Sequence, residues 1–170
     1  MIKLSIIVSI IILKLSASTL QNFNANFKQT ITDEYNKTIK YSGIITAQSP
    51  SNVMYNYTSP MKKSVYLLGK KVIIIEDELE QVIVRKLKSE INLFEVLKNA
   101  KKNRDEIYTS KYRGFEFKIK KEKDVPKYIE YSDELDNTIQ IEFFNIQKNN
   151  TLQKSLFQPS FPAYYDVIKE

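Results

Sequence analysis

The chain has 170 residues, a formal net charge of +6, 42% hydrophobic residues and no Cys, His or Trp. That length suits one ordinary domain with a real core. Without His and Cys the commonest general base, thiol catalysis, soft-metal ligation and disulfides are excluded, so an enzyme is not expected.

The first eighteen residues, MIKLSIIVSIIILKLSAS, form a separate object. Lys3 gives a positive start, Leu4 to Leu13 an apolar stretch, and Ser16 and Ser18 small residues at a cleavage position. This is the pattern of a secretory signal with cleavage after Ser18. Lys14 ends the apolar run far short of the roughly 20 residues needed to span a bilayer. Residues 19–170 are expected to form a single domain. Without Lys3 and Lys14, the 26 basic residues become 24 against 20 acids, too mild an excess for a nucleic-acid partner. The lack of Cys also rules out lipid attachment to a mature N-terminal cysteine.

The 11 Tyr, 9 Phe and only 3 Gly favour long antiparallel strands. Leu20, Phe23 and Phe27 lie at helical spacing before alternation begins at Phe27, Gln29 and Ile31, predicting a short helix that runs into a strand. KYSGIITAQ, NVMYNYT, KSVYLL, KKVIIIED and EQVIVRKL then read as strands of a meander. In the second of these, Val53, Tyr55 and Tyr57 share one face, which could look at a packed core, a membrane or a cavity. Val72–Ile75 do not alternate, so that strand is expected to be covered on both faces. The nearest candidate cover is EINLFEVLKNAKK, a predicted helix with a broad apolar face and lysines at its C-terminal end. GFEFKIKK, KYIEYS and NTIQIEFFNI are further strands. In the last, the phase slips between Phe143 and Ile146, as a bulge or two-sided burial would cause. No internal repeat is present.

No catalytic constellation emerges. Gly43, Gly69 and Gly114 are too far apart for a phosphate-cradling loop. EDELE (76–80) lacks the spacing of a calcium loop and reads as a solvated hairpin tip. The doublets Lys62-Lys63, Lys70-Lys71 and Lys101-Lys102 read as solvated turns. Asn36 in EYNKT is a candidate N-glycosylation acceptor, with Glu34 two residues before it. Asn56 and Asn149 share the N-x-Thr triplet without the acid. No metal or cofactor is expected.

The order of these pieces resembles the LolA family of periplasmic outer-membrane lipoprotein carriers. The matching residues are Phe23-x-Ala25-x-Phe27-x-Gln29, Gly43, Pro50-x-x-Val53-x-Tyr55, Ser59-Pro60, Gly69-Lys70, Glu80-Gln81, the NLFEVL segment and FQPSFPAYYDVI. They cover roughly residues 20–168. The resemblance implies a mainly β fold with helices (α+β): an unclosed antiparallel β-barrel covered by a helical lid. It implies an apolar lipid cavity lined by Val53, Tyr55, Tyr57, Val65, Leu67 and Ile74, with Leu93, Phe94 and Leu97 on the lid. The implied cargo is acylated lipoproteins. The implied partners are an inner-membrane lipoprotein-releasing transporter and an outer-membrane acceptor, with a monomer working in the periplasm of a Gram-negative bacterium. The alternative is a LolA-like lipid- or peptide-sensing module of an envelope regulatory system. Ser49 stands where the family commonly has the Arg that latches the lid, so a more loosely latched empty state is expected.

Overall fold

The computed structural model describes residues 20–170 apart from Arg104, and the expected signal segment lies outside them. Six strands follow one another as a meander: β1 (Asn22–Thr32), β2 (Thr38–Gln48), β3 (Asn52–Ser59), β4 (Lys63–Leu68), β5 (Lys71–Glu76) and β6 (Gln81–Lys86). Helix α1 (Leu93–Lys98) comes next. Then come β7 (Lys101–Lys102), β8 (Tyr108–Tyr112), β9 (Phe115–Glu122), β10 (Val125–Ser132), β11 (Thr138–Lys148) and the C-terminal β12 (Asp166–Lys169). All twelve join one sheet in the order β12-β6-β5-β4-β3-β2-β1-β11-β10-β9-β8-β7. Every pairing is antiparallel except β12 with β6. The outermost strands, β12 and β7, do not pair, so the sheet is open.

The sheet is nevertheless curled. Tyr57 on β3 and Ile129 and Tyr131 on β10 belong to one packed core. In a flat sheet these strands, four places apart, would be separated by about 19 Å. The inner face of the curl carries the main core. Phe23, Ala25 and Phe27 of β1 are 0% exposed and pack with Ile45, Val53, Ile119, Ile129, Ile141 and Phe143. Burying each such large side chain stabilises the fold by about 1.5–3 kcal/mol.

Three local devices set the curl and the phase. Asn26 opposes Phe144 but Asn24 opposes Gln147, so Asn145 and Ile146 form a bulge, with Asn145 at φ 53°. The expected phase slip in β11 is this bulge, and it returns Ile146 to the core. At Gly43 the register of β2 against β3 shifts. A Cβ there would lie 2.0 Å from the Asn56 carbonyl oxygen, so only glycine fits. On β10, a shift between Pro126 and Tyr128 completes the set.

The helix expected around Leu20–Phe27 is not formed. Those residues are strand from Asn22 onward, because Phe23 and Phe27 at i, i+4 satisfy period two as well as 3.6, and buried Ala25 between them settles it. The double covering of Val72–Ile75 is present, but its source differs from the expectation. Ile73 and Ile75 face outward and pack with Val82, Tyr66, Leu68, Val84 and Tyr165, the last from the C-terminal tail. The tail crosses the outer face of the sheet through a 3₁₀ turn, Lys154–Phe157, that meets β3, and ends in β12. Helix α1 lies on the inner face instead, where Val96 and Leu97 join the main core.

Candidate functional site

The inner face is aromatic at its centre. The Tyr55 and Tyr57 rings stack at 6.0 Å, and Phe27 stands edge-on to both at 5.4 and 5.2 Å. Their alternation on β3 produces this directly, since both project to the same side. The Tyr57 hydroxyl donates to Gln29 Oε1 at 2.9 Å, and Lys63 Nζ sits 5.2 Å over the Tyr57 ring and 5.4 Å over Tyr41. Burial pushes the pKa of Tyr55 well up, and that of Tyr131 up to about 12. Both hydroxyls therefore stay neutral across the physiological range, and this surface carries no phenolate.

From this centre an apolar row runs toward the open edge. Across β3, β4, β5, β6 and β12 the residues directly opposite one another are Tyr55, Val65, Ile74, Ile83 and Ile168. Val65, Ile74 and Ile83 are half-buried and Ile168 is 37% exposed. Among the described residues neither packed core includes Val65, Ile74 or Ile83. The row is thus a strip of inward-facing apolar side chains that the protein's own core does not fill.

Of the residues expected to line the cavity, Val53 is buried in the main core, and Tyr55, Tyr57 and Leu67 are half-buried against it. Val65 and Ile74 lie on the unfilled strip. All six share the inner face. Ile83 and Ile168, on the same strip, escaped sequence reasoning because only the strand register brings them into line.

The residues expected on the lid, Leu93, Phe94 and Leu97, all lie on α1 and pack on the inner face, Phe94 edge-on to Phe23 at 6.3 Å. The helix is much shorter than the expected segment. Only six residues are helical, Ile91 stays outside and exposed, and Lys101-Lys102 belong to β7. The Asn92 side chain starts the helix by accepting from the Glu95 N–H at 2.9 Å. A cleft of about 680 Å³ opens beside the helix, and its lining includes Leu20, Ser49, Pro50, Phe94, Leu97 and Lys121. Ser49 thus stands next to α1. A cation reaches the helix from elsewhere: Lys121 Nζ donates to the Leu97 carbonyl at 3.4 Å and lies 4.5 Å over the Tyr108 ring. Lys121 continues the inward phase of Phe115, Phe117 and Ile119, a signal that the neighbouring Lys120 obscures. On β8, which α1 contacts, Ser110 Oγ is buried without a hydrogen-bond partner.

Elsewhere, Asp77–Leu79 of EDELE form an exposed 3₁₀ turn at the β5–β6 tip while Glu76 ends β5, and among the described residues no cluster of metal-ligating side chains is present. Asn36 is exposed in the β1–β2 turn. No helix among the described residues is long and apolar enough to cross a membrane.

Residues 18–124 match the family model described as outer membrane lipoprotein carrier protein LolA. The chain is 34% identical over 150 residues to the outer-membrane lipoprotein carrier protein of Wolinella succinogenes, covering 88% of this chain and 87% of that one. It is 32% identical over 147 residues to the protein of the same name in Campylobacter jejuni, covering 86% of each. Among solved structures, an uncharacterized conserved protein from Thermus thermophilus shares the fold, with a TM-score of 0.52 and 11% identity over 88% of this chain and 91% of that one.

Proposed function

The chain belongs to the LolA family, and we infer that it is a periplasmic carrier that holds the acyl chains of lipoproteins against the inner face of its curled sheet. The observation that carries the reading is the strip Val65, Ile74, Ile83 and Ile168, apolar, inward and unfilled, running out from the aromatic centre. Burying acyl chains contributes about 0.8 kcal/mol per CH₂, so an acylated protein does not cross water unaided. A carrier must shield those chains without gripping them. A strip without fixed polar partners does so, and a neutral aromatic floor adds area without charge. No step in this cycle makes or breaks a covalent bond, so the protein acts by binding alone.

In the empty carrier, α1 covers one end of the inner face. With Ser49 in the family's Arg position, the cation at the helix is Lys121, and this contact holds the closed state. Lipoprotein enters from an inner-membrane releasing transporter and leaves to an outer-membrane acceptor. Val53 and Leu67 form the floor beneath the acyl chains, and Leu93, Phe94 and Leu97 swing aside with the helix.

Two adjacent residues on β5 test the reading. Ile74→Glu puts a charge on the unfilled strip and is expected to leave the fold intact while abolishing the loading of acylated lipoprotein. Ile73→Glu, one residue earlier, puts it in the packed outer core and should cost about 3 kcal/mol or more. Thermal unfolding and lipoprotein release from membranes are measured for both. Unfolding of Ile74→Glu to the same degree as Ile73→Glu, or full loading by a folded Ile74→Glu protein, contradicts the acyl-strip reading.

A further inference from the structure

β1, β5 and β10 run in the same direction, so the turns that follow them lie at one end of the sheet, opposite α1. These three turns repeat one sequence: Asp33-Glu34-Tyr35, Asp77-Glu78-Leu79 and Asp133-Glu134-Leu135. They also repeat one geometry. In each, the N–H of the residue three positions after the Asp donates to the Asp carbonyl, at 3.0 Å for Asn36, 3.2 Å for Glu80 and 3.2 Å for Asp136. Those three donors have φ of 62°, 49° and 59°. The aspartates have structural work: Asp33 and Asp133 each accept two backbone N–H groups of their own turn, and Asp77 accepts from the Tyr165 hydroxyl.

The third residue of each triplet does not. Tyr35 is 81% exposed, Leu79 59% and Leu135 78%. That position of a turn is readily filled by Asp, Asn or Ser, so nothing in the turn demands a large apolar side chain. Three of them are presented at one end of the sheet on matching turns, each beside carboxylates. The β3–β4 connection at the same end adds Met61, 45% exposed, beside Lys62.

Charge selects the occupant. The segments DEYNK, EDELE and DELDN hold nine acids and one lysine, against Lys62, Lys63 and Arg113 at the β3–β4 and β8–β9 connections of the same end, in a chain of net charge +6. An anionic lipid surface would be repelled by these tips, whereas a protein surface with Lys and Arg around apolar pockets would be attracted and oriented by them. We propose that the three Asp-Glu-apolar tips form a docking surface for a protein partner bearing a basic patch interrupted by apolar pockets, separate from the acyl-binding face. Tyr35, Leu79 and Leu135 are the anchors, and Glu34, Glu78 and Glu134 supply the complementary charge.

The test titrates the isotope-labelled mature protein with an amphipathic helical peptide of Lys and Leu, and in parallel with its Glu/Leu counterpart, following backbone amide shifts. The expected result is shifts concentrated at residues 33–37, 77–80 and 133–137 for the Lys/Leu peptide only. Its affinity should fall at least tenfold in Tyr35→Ser/Leu79→Ser/Leu135→Ser and at raised salt. That variant should still unfold at the wild-type temperature and load acylated lipoprotein, which separates failure here from failure of the carrier reading. Shifts confined to the inner face, equal binding of both peptides, or unchanged affinity in the triple variant would overturn the proposal. So would tip-dependent binding to phosphatidylglycerol vesicles, or tip-dependent self-association.

Discussion

Glu130 lies on the outer face of β10 among charges that a sequence reading treats as solvated. Lys118 donates to it at 2.8 Å, Tyr128 at 2.5 Å and Gln140 at 3.0 Å. These bonds, that of Lys118 first, hold its carboxyl down at about 2, against an ordinary value of 4.5. A depressed carboxyl contributes stability that is complete above its unfolded value and lost as pH falls through its folded one. The network's contribution should therefore disappear between about pH 4.5 and 2. Glu130→Gln is expected to lower stability at neutral pH by about 1–2 kcal/mol, since the lost bonds are charge-assisted and partly solvent-screened. It should also flatten the acid limb in that window. Urea unfolding at pH 7, 4 and 2.5 measures both, and an equal loss of stability at every pH would contradict the assignment. In the sequence, Phe115, Phe117 and Ile119 alternate with Glu116, Lys118 and Lys120, which separates Lys118 from the apolar face. That Glu130 and Gln140 meet it there depends on the register of β9, β10 and β11, which no local pattern carries.

At the scale of elements, α1 is the least self-sufficient piece. Six residues are far fewer than the 12–15 an isolated helix needs, so it persists through its Asn92 cap, the packing of Phe94 on Phe23, and Lys121 at its C-terminal end. Amides of residues 95–98 are expected to exchange well ahead of those at Ala25–Phe27 in the empty protein. Lys121→Ala should speed α1 further, by a few-fold to tenfold, without moving β1. Hydrogen exchange read by mass spectrometry decides this; α1 protected as strongly as β1 and indifferent to Lys121 would make the helix a fixed part of the core. The meander was legible in sequence because β2 to β6 alternate or run apolar between clear turn signals. The helix was overextended because Ile91 and the lysines after Asn99 fit a helical face equally well. Strand β8, Tyr-Thr-Ser-Lys-Tyr, carries too few apolar residues to announce itself. β12 follows Pro159 and Pro162, and only its pairing with β6 makes it a strand.

Across the whole molecule, one open sheet does two jobs. Its outer face is braced over β3 to β6 by the C-terminal tail, so Ile73, Ile75 and Val82 are packed and the edge carrying the strip is held in shape. Its inner face is packed from β3 round to β8 and at Leu67 and Val72, but not along the row Val65, Ile74 and Ile83. Sequence alternation identified Val53, Tyr55 and Tyr57 as one face. It could not tell a filled core from an unfilled strip, because both require the same apolar residues; the difference lies in what faces them across the curl. The most direct measurement is therefore of contact. Intermolecular NOEs are recorded between the acyl methylenes of a bound lipopeptide and selectively labelled Ile and Val methyls. Cross-peaks to Val65, Ile74 and Ile83, with none to Ile73 and Ile75 on the opposite face of the same strand, are the predicted result. Cross-peaks to Ile73 and Ile75, or a bound lipopeptide that touches none of the strip, would contradict the account.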